Sequence, residues 1–223
     1  MRNSWADVDR FITDNLLGPD PILDNVLKNS LKNGLPSIHV APNQGKFLHI
    51  LALSCQAKNI LEIGTLGAYS SIWLARALPT NGSLITLEAN PHHAQIAAEN
   101  VKSAGLSHLI HIKVGRALDI LPTLAGQENP SFDFIFIDAD KPNNAQYFQW
   151  ALRLSHPGSI IVIDNVIRDG QIIDSNSQDP SVQGTRDLYQ ILGREKKVTA
   201  TALQTVGSKG YDGFIIMHVK RQN

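Results

Sequence analysis

The stretch Asn59-Ile-Leu-Glu-Ile-Gly-Thr-Leu-Gly-Ala-Tyr-Ser-Ser71 decides the fold. Leu61 and Ile63 give it strand character, Gly64 and Gly67 interrupt the strand, and Ser70 and Ser71 open a helix over Ile72 to Leu78. Such a turn lets a ligand approach the backbone closely and meet the N–H groups at the helix start. Immediately downstream, Ser83-Leu-Ile-Thr-Leu-Glu88 reads as a second strand ending in an acid. Strand, glycine turn, helix and acid-tipped strand are the parts of a nucleoside-binding βαβ unit.

The pattern continues on the C-terminal side. A helix is expected over Pro91–Ala104, a strand over Leu109–Val114, a turn at Gly115-Arg116-Ala117 and a helix over Leu118–Leu124. After a polar loop, Gly126 to Pro130, comes Phe132-Asp-Phe-Ile-Phe-Ile137, a nearly continuous apolar run of the kind found in a central parallel strand buried on both faces. A helix over Ala145–Leu154, a turn at His156-Pro-Gly158 and a buried strand over Ser159–Ile163 follow. Residues 166–184 read as a long polar loop, and Thr185–Leu192 as a helix. Lys197–Val206 and Gly213–Val219 alternate as the arms of a terminal antiparallel hairpin, joined by a turn over 207–212.

On the N-terminal side two amphipathic helices are expected, over 4–17 and from Pro21 to Asn33, then an extended Pro36–Pro42 segment and a helix from Gln44 capped by Asn43. The expected architecture is a single α/β domain over 1–223. Residues 1–35 form a helical extension and 36–223 a Rossmann-like, mostly parallel sheet with helices on both faces. The extension suits a lid or a dimer surface, or simple packing onto the sheet.

Composition narrows the function. Of 223 residues, 43% are hydrophobic and 18% charged, with 20 basic against 20 acidic side chains, which disfavours nucleic acid as the principal partner. Cys55 is the only cysteine, so neither an internal disulfide nor a cysteine metal cluster can form, and its apolar neighbours mark it as a buried, inert thiol. No apolar run spans a bilayer and no signal core opens the chain, so a cytoplasmic protein is expected.

In an open parallel sheet, ligands bind outside the carboxyl ends of the strands. The polar tips are Glu62 with Gly64, Glu88, Arg116-Ala117, Asp138, Asp140 and Lys141, and Asp164-Asn165. Glu88 suits two ribose hydroxyls, with a solvated surface acid as the alternative. The glycines run Gly-x-x-Gly rather than Gly-x-Gly-x-x-Gly, and Glu62 would repel a pyrophosphate. A nucleoside without phosphate and with positive charge fits better, and S-adenosylmethionine is such a ligand. Asp138, Asp164 and Asn165 offer three hard oxygen donors, a set for Mg²⁺ first, or Ca²⁺ or Mn²⁺. Lys141 can reach the same spot as a general base, or simply pair with the acids.

These residues resemble the cation-dependent class I O-methyltransferases, the group of catechol and caffeoyl-coenzyme A O-methyltransferases and their small bacterial relatives. The resemblance runs from about Ile38 to the end. It rests on Leu61-Glu-Ile-Gly-Thr65 with Tyr69-Ser-Ser71, Phe134-Ile-Phe-Ile-Asp-Ala-Asp-Lys141, and Ile163-Asp-Asn-Val166. It implies that Val40, Gly64, Ser70 and Asp138 hold the methionine part of S-adenosylmethionine, that Glu62 supports the pocket, that Glu88 takes the ribose, and that Ala117 lies at the adenine. It also implies metal ligation by Asp138, Asp164 and Asn165, catalysis by Lys141 with Asp138, a small phenolic acceptor with neighbouring hydroxyls, and a homodimer. The roles of Asp140 and Tyr211 stay open. Specificity is expected from the 166–184 loop, the N-terminal helices and the 207–212 turn. Two departures stand out: Ala68 replaces the glycine usual before Tyr-Ser, and Asn144 replaces a tyrosine often found three residues after the lysine, with Tyr147 further on. The alternatives are a nicotinamide-dependent oxidoreductase on a similar sheet and a non-catalytic adenosyl-binding protein.

Overall fold

The computed structural model describes residues 2–126 and 131–221, with side chains from Ser4. Its centre is a seven-stranded sheet of β1 (Asn59–Ile63), β2 (Ser83–Glu88), β3 (Ile110–Val114), β4 (Phe132–Ile137), β5 (Ser155–Asp164), β6 (Val198–Gly207) and β7 (Gly210–Val219). The order is β3-β2-β1-β4-β5-β7-β6, with β1 to β5 parallel and β7 antiparallel to both of its neighbours. The chain reverses between β3 and β4, so β1 and β4 lie side by side at the switch point where open α/β sheets bind ligands.

Strand alternation divides the core. Ile60, Phe134, Phe136 and Val162 face one way, against α2 (Pro21–Lys32), α3 (Pro42–Ser54), α4 (Tyr69–Ala75) and α5 (Pro91–Ser103). Leu61, Ile63, Ile135, Ile137, Ile161 and Ile163 face the other way, against α6 (Ala117–Ala125), α7 (Asn144–Arg153) and α8 (Pro180–Leu192). Central strands covered on both sides read as continuous apolar runs for this reason. Of the N-terminal helices, α2 buries Leu23 and Val26 in the first cluster, each worth ~1.5–3 kcal/mol. Its cap Asp20 accepts from Leu23 N at 3.1 Å and pairs with Arg76 at the end of α4. Helix α1 (Arg2–Leu16) instead packs on β6 and α3.

Three expected boundaries differ. The His156-Pro-Gly158 turn is absorbed into β5, which shifts register beside Phe132 and Phe134. Ser159 makes this possible: its hydroxyl accepts His156 N at 2.9 Å and donates to Phe132 O at 2.8 Å, so the irregular stretch keeps its hydrogen bonds. The hairpin turn is shorter than 207–212. Gly207 pairs with Gly210, only Ser208 and Lys209 lie between, and Tyr211 sits in β7 opposite Val206. The 166–184 stretch is partly ordered into a 3-10 turn over Arg168–Ile173 and the start of α8. Residues 127–130 of the polar loop expected at Gly126–Pro130 lie outside the described residues. Cys55 is half-buried; its thiol donates to Ala52 O at 3.4 Å, and burial pushes its pKa up. Among the described residues no helix is long and apolar enough to cross a membrane.

Candidate active site

A cavity of about 740 Å³ opens at the carboxyl ends of the parallel strands. The β1 turn forms its floor. Gly64 has φ +100, and a Cβ there would stand 2.1 Å from the Asp138 carbonyl oxygen, so only glycine lets the tips of β1 and β4 close up. Asp138 N donates to Ile63 O at 2.8 Å across the same gap. Gly67 is closely packed, since a Cβ would meet Ser30 Oγ of α2 at 2.3 Å and that hydroxyl would have to move. Ala68 adopts φ 64, the left-handed geometry a glycine would take without strain.

Glu62 is wholly buried behind this turn and is not among the residues lining the cavity. Its carboxylate accepts from Ser70 Oγ at 2.7 Å, from Ser71 Oγ, and from Thr86 Oγ1 at 2.7 Å. Burial pushes its pKa up to about 7; the three hydroxyls pull against that, and the Asp138 charge adds to it. Glu88 lies in the cavity wall. One oxygen accepts Thr65 N at 3.3 Å and Leu66 N at 2.8 Å, and the other accepts Asn90 N at 2.9 Å, with His93 Nδ1 3.7 Å away. The acid at the tip of β2 thus braces the glycine turn, while a carboxylate with about four acceptor positions retains capacity for a ligand hydroxyl. Val40, Gly64, Ser70 and Ala117 line the same cavity.

The other end of the cavity is built by β4 and β5. Ile137 pairs with Ile163, so the residues that follow, Asp138 and Asp164, stand abreast. Lys141 Nζ donates to Asp138 Oδ1 at 2.8 Å. Asp164 is buried at 4% exposure and accepts from Gln44 Nε2 at 2.7 Å and from Asn165 N at 2.8 Å. Burial, and then the neighbouring Asp138 charge, hold the Asp164 carboxyl above its ordinary range, while Lys141 acts the other way. Asn165 takes φ 56 and lines the cavity. Two carboxylates at neighbouring strand tips and an amide form a donor set that a hard divalent cation would relieve, although Asp164, unlike Asp138 and Asn165, is not among the residues lining the cavity. Clusters of three or more His, Cys, Asp or Glu suited to a metal are absent among the described residues, and this trio differs by using an amide. Asp140, also in the wall, accepts from Tyr147 OH and Asn143, and it drives the Tyr147 pKa further up after burial.

The segments expected to govern specificity contact one another, but of the 207–212 turn and the first helix no described residue lines the cavity. Asp9 of α1 accepts Ser208 N of the hairpin turn at 2.7 Å and Asn43 Nδ2 of α3 at 2.9 Å. Lys209 donates to Ser37 O at 3.1 Å and approaches His39, which lines the cavity with its ring 5.1 Å from that of Tyr69. Tyr211 is turned toward Gln204 by its hydroxyl and packs beside Gly170. Sequence reasoning missed Gln44, which anchors Asp164 from 120 residues away, and Arg168, a cavity-wall residue inside the polar loop. Neither belongs to a motif that could have flagged it.

Comparison with known proteins defines the class. A family model described as O-methyltransferase matches residues 17–217. The catechol O-methyltransferase of Niastella koreensis is 54% identical over 97% of this chain and 98% of its own length. That of Mycobacterium tuberculosis is 48% identical over 96% of each. The O-methyltransferase of Bacillus cereus, solved in complex with S-adenosylhomocysteine, superposes with a TM-score of 0.97 at 51% identity, covering 99% of this chain and 100% of that one. The chain belongs to this family of S-adenosylmethionine-dependent O-methyltransferases. The nicotinamide-dependent alternative is not favoured by any of these likenesses.

Proposed function

We propose that the chain transfers the methyl group of S-adenosylmethionine to one hydroxyl of a vicinal dihydroxy aromatic, assisted by a divalent cation, Mg²⁺ first among the candidates. The observation that carries this reading is Asp138 in the wall of a cavity that Glu88 also lines, with Lys141 2.8 Å from Asp138 and Asp164 buried at the adjacent strand tip. Val40, Gly64, Ser70 and Asp138 hold the methionine part of the donor, Glu88 takes the ribose hydroxyls, and Ala117 lies against the adenine. Glu62 acts from behind, fixing Ser70 and Ser71.

Asp138, Asp164 and Asn165 would hold the cation, which lowers the pKa of a hydroxyl bound to it. Lys141 takes the phenolic proton. The phenolate oxygen attacks the sulfonium methyl in line, the C–O bond forms as the C–S bond breaks, and the products are a methoxyphenol and S-adenosylhomocysteine. Much of the rate comes from alignment, since the electrophile arrives already activated. The named catechol O-methyltransferases at 54% and 48% identity support a catechol-type acceptor.

The test is methyl transfer from labelled S-adenosylmethionine to a panel of catechols, with Mg²⁺ and with EDTA. Transfer that requires the ion is expected; transfer that survives EDTA would remove the metal from the reading but keep the donor. The reading extends to a homodimer, supported by Phe11 and Val8 of α1 and Leu203 and Val206 of β6, which stay exposed at 68%, 56%, 48% and 53%. A monomeric mass by light scattering would reject it.

A further inference from the structure

Residues 165–170 carry an unusual backbone. Asn165, Arg168 and Asp169 have φ of 56, 55 and 54, and Gly170 has 83. Non-glycine residues in this region are strained, and strain of this kind persists where the surroundings over-determine it, commonly at ligand sites. Here Asp212 over-determines it: Oδ1 accepts Ile167 N at 2.9 Å, Arg168 N at 3.1 Å and Gly213 N at 2.9 Å. The clamp holds Arg168 three residues after Asn165, and both line the cavity that Asp138 and Lys141 also line.

The guanidinium has little to hold it there. Its Nη1 is 4.0 Å from Asp212 Oδ2, too long for a bidentate pair, and its Nε is sealed from solvent with no hydrogen-bond partner. The side chain remains 30% exposed. Lys141, by contrast, is engaged with Asp138 at 2.8 Å. A planar, permanently charged fork with unspent donors, anchored at the acceptor end, matches a carboxylate.

We propose that Arg168 is a specificity-determining residue that favours acceptors bearing a carboxylate across the ring from the reacting hydroxyls. This rests on the catechol reading above. With the hydroxyl pair directed at Asp138, Asn165 and Lys141, the far substituent extends along the wall that Arg168 supplies. An anionic substituent gains charge-assisted hydrogen bonds there, a neutral one gains contact alone, and an ammonium is repelled.

The test compares 3,4-dihydroxybenzoate, 4-methylcatechol and 3,4-dihydroxybenzylamine with saturating S-adenosylmethionine and Mg²⁺, using the full chain. The unmodified enzyme is expected to prefer the carboxylate over the neutral acceptor by about tenfold or more in kcat/KM, with the amine last. Arg168→Met should reduce that preference to within about threefold, mainly by raising KM for the carboxylate, and Arg168→Lys should restore part of it. No preference for the carboxylate in the unmodified enzyme overturns the inference, even if the methionine variant fails to fold. An equal loss on all three acceptors also overturns it, since that marks Arg168 as purely structural. Failure to methylate any of them, with S-adenosylhomocysteine still bound in calorimetry, overturns the catechol reading itself and this inference with it.

Discussion

Lys141 Nζ donates to Asp138 Oδ1 at 2.8 Å, so the proposed base rests on the carboxylate of a proposed metal ligand. The two are three residues apart, joined by the turn that leaves β4 and enters α7. Behind them Gly184 of α8 presses on the lysine's backbone, where an added Cβ would stand 2.6 Å from Lys141 O. The lysine is thus fixed by packing at its root and by charge at its tip, as a positioned proton acceptor requires.

Replacing Lys141 by methionine is expected to lower turnover by roughly 10²–10⁴, the usual span of a general base. Affinity for S-adenosylhomocysteine should stay nearly unchanged, because the lysine is assigned to the acceptor end. Arginine at this position keeps the ion pair yet cannot give up its proton, so Lys141→Arg should be nearly as slow. Stopped-flow chemistry combined with calorimetric binding checks both; an arginine variant at full speed would return Lys141 to a simple ion pair.

Asp164→Asn separates stability from function. The folded carboxyl is held above its unfolded value of 3.8 by burial and by Asp138. An acid with a raised pKa favours the fold below its unfolded value, and that contribution is lost as pH climbs through the folded one. Above that window the ionised Asp164 is a liability which the amide removes. Without added metal at pH 8, the variant should therefore melt at or above the parent temperature, while Mg²⁺ should raise the parent's melting temperature but not the variant's. Turnover stimulated by Mg²⁺ should vanish. A variant that melts several degrees lower would mean the bonds to Gln44 and Asn165 outweigh the repulsion.

The strands and the acids at their tips were legible in the sequence because each depends on a short local pattern. Phe132–Ile137 is apolar at nearly every position because β4 is covered on both faces, and Asp138 falls where that run must end. What the sequence did not expose depends on distant partners. Gln44 reaches Asp164, Asp9 reaches Ser208, and Arg168 owes its place to Asp212, and no local spacing encodes such pairings. The passage of β5 through His156-Pro-Gly158 has a similar origin. Pro and Gly signal a turn locally, but the Ser159 hydroxyl repairs the ladder and lets β5 run through.

Glu62 should leave a pH signature. Its pKa rises from 4.5 unfolded to about 7 folded, chiefly through burial. The folded state therefore binds the proton more tightly, and stability should fall as pH rises from about 4.5 to about 7, by at most about 3 kcal/mol for this group. Glu62→Gln removes the ionisation and keeps one acceptor oxygen, enough for Ser71 and Thr86, while its amide faces the Ser70 hydroxyl, which can turn to accept, so its stability profile over that window should be flatter. Urea denaturation at half-unit intervals measures both slopes; parallel profiles would place the proton elsewhere.

Glu88 carries two loads, and graded substitutions divide them. Its carboxylate braces Thr65 N, Leu66 N and Asn90 N, and it is assigned to the ribose hydroxyls. Glu88→Ala removes the acceptor for buried backbone donors, which costs about 1–3 kcal/mol of stability for each group left unsatisfied, and it removes the ribose contact as well. Glu88→Gln keeps one acceptor oxygen, enough for Leu66 N at 2.8 Å, but offers an amide where the second hydroxyl would donate. The glutamine variant leaves only Asn90 N without its acceptor, so it should lose less stability than the alanine variant and bind S-adenosylmethionine about ten times more weakly than the parent, the size of one lost charge-assisted hydrogen bond. At saturating donor its kcat should be little changed, because the ribose lies away from the bonds that form and break. A calorimetric Kd equal to the parent's would confine Glu88 to bracing the turn and leave the ribose without its proposed acid.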